Sequence, residues 1–158
     1  MDVTEAEALA ALQGDDPARA ARAEAALWAM WCRSGRADLD ARLAEAIAAM
    51  ERRDYADSQH RLTELIGEAP QWAEAWNKRA TVRYLAGDFT GAIADCIETI
   101  ARQPRHFGAL AGQGLCHMSL EQYPAAAALF RRALEVHPHL DAVRRNLRAA
   151  LSEVVRNN

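Results

Sequence analysis

Pro70, Pro104 and Pro138 stand 34 residues apart, twice in succession, and that spacing limits what the chain can fold into more than any other feature. A period of this size is one supersecondary unit repeated, and such units stack because none can bury its apolar face alone. Aligned on the prolines, residues 39–72, 73–106 and 107–140 fall into register without gaps. An aromatic recurs as Tyr55, Phe89 and Tyr123. Small residues recur as Ala46, Ala80 and Gly114, and again as Ser58, Ala92 and Ala126. Bulky apolar columns read Leu62, Cys96, Phe130 and Ile66, Ile100, Leu134. The pattern describes a helix, a short turn and a second helix. The small columns sit where the two helices cross closely. The aromatic fills the space between them as the second begins, and each proline ends that helix and sets φ for entry to the next pair. Gly87 suits a left-handed helix end and Asp88 the N-cap that follows.

Composition agrees with an all-α chain. Of 158 residues, 51% are hydrophobic but only 6% aromatic, because 36 are alanine, the strongest helix former. With Gly at 8 and Pro at 5, there are too few turn residues for an all-β domain. The expected architecture is an α-solenoid of three stacked helix-turn-helix repeats, flanked by an N-terminal helical extension (1–38) and a C-terminal capping helix (141–158). In the extension, Gly14-Asp15-Asp16-Pro17 separates a short helix, about Val3 to Gln13, from a longer one, about Pro17 to Arg33, with Asp16 as N-cap. The longer helix carries Trp28 and Trp31 on one face, too much apolar surface to leave in water. They are expected to dock on the first repeat as a cap; the alternative is that this helix occupies the groove of the array and is displaced by a partner, or swaps into another protomer. In 141–158, Val143, Leu147, Ala150, Leu151 and Val154 form one helical face and arginines the other, as a solvated terminal cap requires.

The 34-residue period and the residues Trp76, Ala80, Ala92 and Pro104 resemble the tetratricopeptide repeat (TPR) family, with the best match in the middle unit. The Trp28-x-x-Trp31 helix ending in Ser34-Gly35 is similar to small bacterial members of it, some of which carry an export leader. The chain departs from the family pattern at the Leu column (Glu45, Arg79, Gln113), the Tyr column (Ala49, Arg83, His117) and, at Cys96, the Phe column. The resemblance implies that the first helix of each pair lines a concave face that holds a partner peptide or helix. The inner-facing residues are then Leu43, Ile47 and Met50, then Asn77, Lys78, Thr81 and Tyr84, then Ala111, Leu115 and Met118. Members that clamp a C-terminal carboxylate use Lys, Asn and Arg where this chain has Leu43, Ile47, Lys78, Gly108 and Gly112. Lys78 alone has the charge, so the groove suits an apolar or amphipathic segment instead. Gly108 and Gly112 are costly in a helix and are expected to admit a second backbone.

Net charge is −3, which gives no general reason to bind nucleic acid. Acids concentrate at Asp2, Glu5, Glu7, Asp15, Asp16 and Glu24, and arginines at Arg131, Arg132, Arg144, Arg145, Arg148 and Arg156. Head-to-tail association into a homo-oligomer is therefore the alternative to partner binding. Cys32, Cys96 and Cys116 have no ligand spacing and read as reduced core residues. His137-Pro138-His139 lacks a third metal ligand, and Asp54 with Asp57 and Asp95 with Glu98 read as solvated helix-surface carboxylates. No metal, cofactor or catalytic role is expected. The longest uncharged run, residues 106–120, is too short to span a membrane. As the sequence stands the chain is expected in the cytoplasm, or in the periplasm if an export leader has been removed.

Overall fold

The computed structural model describes residues 2–158. Among them are nine helices and no strand: α1 (Glu5–Leu12), α2 (Pro17–Trp31), α3 (Ala37–Glu51), α4 (Tyr55–Glu68), α5 (Ala73–Leu85), α6 (Phe89–Arg102), α7 (Phe107–Ser119), α8 (Tyr123–Val136) and α9 (Asp141–Arg156). Five of the starts carry a side-chain cap. Thr4 and Glu7 form a reciprocal capping box on α1, and the Asp16 carboxylate accepts from the Ala18 and Arg19 amides with Pro17 at the first position of α2. Asp54 and Asp88 cap α4 and α6 at equivalent places in their repeats.

The helices α3–α4, α5–α6 and α7–α8 are antiparallel pairs joined by tight turns. Each turn has its left-handed residue at the same register position: Arg53 at φ 64°, Gly87 at φ 85° and Glu121 at φ 58°. The small columns do what their size allows. Ser58 sits fully buried and donates from Oγ to the Ala46 carbonyl at 2.7 Å, tying one small column to the other. A Cβ added to Gly114 would lie 2.5 Å from the Phe130 ring, so α7 and α8 cross only because that hydrogen is there.

Two apolar cores run through the stack. Leu39, Leu43, Leu62 and Leu65 anchor the first, which continues into α5 through Ala75 and Val82. Leu110, Leu129 and Phe130 anchor the second, covered by Val143 and Ala150 of α9 with Leu147 and Leu151 half-buried beside them.

The α1–α2 hairpin does not stack as one more pair. It has a small core of its own, with Ala8, Leu9 and Leu12 against Ala23 and Leu27, and it lies along the array rather than at its end. Its contacts fall on the junctions between repeats. Trp72 Nε1 donates to the Trp31 carbonyl (3.0 Å), His106 stacks on the Trp31 ring (centroids 4.3 Å apart), and Leu140 joins the hairpin's core. These three residues are one column of the 34-residue register. The expectation that Trp28 and Trp31 dock on the first repeat is therefore corrected. Apart from the Trp72 hydrogen bond, their main partners are His106 and Phe107, at the entry to α7. The His106 and Phe107 rings at that junction offer both edge and face contacts to the indoles.

Candidate partner-binding groove

A cavity of about 110 Å³ opens between α5 and α7, with α6 beneath it. Asn77, Thr81 and Tyr84 line it from α5, and Gly108, Gly112 and Leu115 from α7. Ala80, Cys96 and Cys116 complete its wall. Of the ten residues expected on the inner face, four meet here: Asn77, Thr81, Tyr84 and Leu115. The others are elsewhere. Leu43 is 2% exposed and belongs to the first core, and Ile47 and Met50 pack half-buried against that core. Ala111 and Met118 do the same on the second core. The cause is that the aliphatic side chains of α3 and α7 are drawn into the neighbouring cores, whereas Thr81 and Tyr84 of α5 belong to neither.

Glycine makes the cavity. A Cβ at Gly112 would meet nothing nearer than Cys96 Sγ at 3.9 Å, so the position is open space. Gly108 is different, because a Cβ there would lie 2.5 Å from the Trp28 ring. The expected close approach is made by an indole, not by a second backbone. Trp28 thus closes the Gly108 end of the cavity, and Lys78 Nζ lies 5.1 Å from its ring centroid.

Lys78 is held a second time, by Glu74 at 3.3 Å. Glu74 is fully buried and also accepts from Asn77 Nδ2 (2.9 Å) and from His106 Nε2 (2.8 Å). The His106 tautomer follows from its other nitrogen. Nδ1 accepts from the Ala109 amide as the N-cap of α7, so the proton is on Nε2. Burial alone would raise the Glu74 pKa, but the His106 hydrogen bond, the Lys78 charge and the Asn77 hydrogen bond outweigh it and hold the carboxyl below its ordinary value. A charged carboxylate can stay in the core because Asn77, His106 and Lys78 all meet its oxygens.

A second buried acid lies on the neighbouring face. Asp95, expected to be solvated, is 1% exposed. It takes a two-pronged contact from Arg79 (2.9 and 2.8 Å) and a third from Arg83 Nη1 (3.0 Å). Those arginines are two of the three residues of the middle unit that break the family pattern, Cys96 being the third. Glu45 and Arg61 stand 34 residues before Arg79 and Asp95 and pair at 3.0 Å with the charges exchanged. Sequence reading missed Glu74, His106 and Asp95. The exchanged signs in the 34-residue register would have revealed Asp95, and the Trp72–His106–Leu140 column would have singled out His106.

The histidines and thiols have structural explanations. His137 Nε2 donates to Glu24 (2.8 Å) and His139 Nε2 to the Gly14 carbonyl (2.6 Å), so both hold the hairpin. Burial pushes the Cys116 thiol up to about 11 and Cys96 higher still, which keeps both as thiols. Among the described residues no group of three or more His, Cys, Asp and Glu is placed to hold a metal, and no helix is long and apolar enough to cross a membrane.

Comparison with known proteins bears on the same region. A TPR repeat-containing protein of Rhizobium etli is 28% identical over 123 residues, covering 78% of this chain. The chain spans only 60% of that relative's length. The first TPR domain of Spaghetti (RPAP3), solved with an HSP90 peptide, superposes with a TM-score of 0.72 at 17% identity over 74% of this chain and 93% of that one. The Yersinia enterocolitica type III secretion chaperone SycD, solved with a peptide of the translocator YopD, gives a TM-score of 0.71 at 13% identity over 77% and 98%. The tetratricopeptide repeat family itself matches residues 43–97 and 97–141, a stretch that runs from within α3 to the start of α9, so the chain belongs to that family.

Proposed function

We propose that this chain is a protein-interaction module that takes an apolar segment of a partner between α5 and α7. The α5–α7 cavity carries this reading. Its volume suits a single aliphatic side chain, and Asn77, Thr81 and Tyr84 stand at its rim to hold the backbone on either side. The Spaghetti and SycD domains, which share the fold, were each solved with a peptide bound. A terminal carboxylate is not the recognised group here, because Lys78 already answers Glu74 and Trp28. Tyr84→Glu with Leu115→Glu puts two charges at the cavity and should cut capture of the partner from a lysate of the source organism by at least tenfold, with circular dichroism unchanged. Undiminished capture overturns the assignment.

A second reading is a self-associating unit whose groove is filled by its own terminal helix, and Trp28 seated on Gly108 favours it. Its acidic N-terminal stretch would meet the arginine-rich C-terminal face of a neighbour. Light scattering then gives a mass that falls towards the monomer as salt is raised, and a salt-independent monomer rejects it.

A further inference from the structure

We propose that the α1–α2 hairpin is a resident ligand of the array. The junction surface beneath it is then a docking site for a partner helix that carries the same stripe: a carboxylate, with Trp four and seven residues later, as in Glu24, Trp28 and Trp31. The inference concerns the column Trp72, His106 and Leu140, and does not rest on the reading of the α5–α7 cavity.

The hairpin binds as a ligand would. Its core borrows only Phe107, Val136 and Leu140 from the array, and the two cores of the array draw no fully buried residue from it. What fastens it is a short set of directional contacts. Gln13 Nε2 donates to the Glu135 and Val136 carbonyls (2.8 and 2.7 Å), Glu24 accepts from His137, and the Gly14 carbonyl accepts from His139. Trp28 sits edge-on to His106 and Phe107 over the bare backbone of Gly108, and Trp31 stacks on His106. The receiving side is shaped in advance: His106 is fixed by Glu74 and the Ala109 amide whether or not an indole lies on it.

The tether is short, and Ser34 within it is held by Asp40 (2.7 and 2.6 Å). Residues 32–36 join α2 to α3, and Gly35 has φ 88° with no neighbouring atom within 4 Å of a Cβ placed there. A ligand on so short a linker competes at an effective concentration in the millimolar range, so an external helix enters only where it matches the stripe closely or where the hairpin is weakened. The stripe also defines the partner. Trp is required at the Gly108 seat because the indole fills the space left by the missing Cβ and faces Lys78, and the carboxylate is required by His137.

The test uses the full chain and a labelled peptide with the sequence of residues 16–34. The peptide should bind the Trp28→Ala, Trp31→Ala double variant at least ten times more tightly than the wild-type chain, whose own α2 competes. Adding Gly108→Ala should remove at least tenfold of that affinity, and adding Tyr84→Glu should not, which separates this site from the α5–α7 cavity. Native-state hydrogen exchange on the unaltered protein gives an independent reading: the amides of α1 and α2 should exchange together and faster than those of α5 to α8. Equal peptide affinity for the two chains overturns the proposal. So does hairpin protection equal to that of α5 to α8, or a double variant whose array unfolds. A mixed dimer of double-variant and wild-type chains would make the occupant a second copy and overturn the partner helix.

Discussion

At the scale of single residues, the chain spends its small side chains where helices cross and tolerates strain where helices turn. Only one of the three left-handed turn positions holds glycine; Arg53 and Glu121 adopt the same conformation with a Cβ. Arg53→Gly and Glu121→Gly should each stabilise the fold by about 0.5–1 kcal/mol, measured by urea denaturation. Gly87→Ala should cost about as much for the same reason. Gly114 was legible in the sequence because its column is small in every repeat. Gly108 was not, since its reason is a tryptophan 80 positions away that lies outside the repeat register. Periodicity reports on neighbours in the stack and is silent about a segment laid across it.

Helix pairs were the most readable elements. Prolines and turn aromatics bracket α4, α6 and α8, aspartates cap the first two, and the helix ends lie beside those residues. The facing of each helix was read less well, because an aliphatic residue on α3 or α7 suits the groove and the neighbouring core equally and periodicity does not choose between them. Leu43 shows the result: expected in the groove, it is core. Pairs of helices also differ in how they are clamped. The Glu45–Arg61 pair between α3 and α4 is largely exposed, while Asp95 between α5 and α6 is buried under two arginines. Arg61→Ala should therefore cost well under about 1 kcal/mol. Asp95→Asn should cost about 3–5 kcal/mol, since it strands Arg79 and Arg83 in the interior, and thermal denaturation of the two variants makes the comparison.

Across the whole molecule, Glu74 joins three parts: its own helix α5, the N-cap of α7 through His106 and, through the stacked rings, α2. Its carboxyl titrates below the ordinary 4.5, so the folded state binds its proton less readily than the unfolded chain does. The stabilisation is thus complete above that value and is lost as pH falls through the depressed one. Between about pH 5 and pH 3, denaturation midpoints should fall more steeply for the wild type than for Glu74→Gln. Equal slopes would show that the carboxylate adds nothing to pH-dependent stability.

A solenoid without such a hairpin is a chain of near neighbours, which can fold from any repeat outward. Here Gln13, Gly14 and Glu24 meet residues 113 to 125 positions away. During synthesis the hairpin emerges before anything it rests on, and its seat is complete only once residue 140 has been made and the third repeat has closed. A segment made before the array therefore settles after it, and its arrival reports that the whole array beneath it has been assembled.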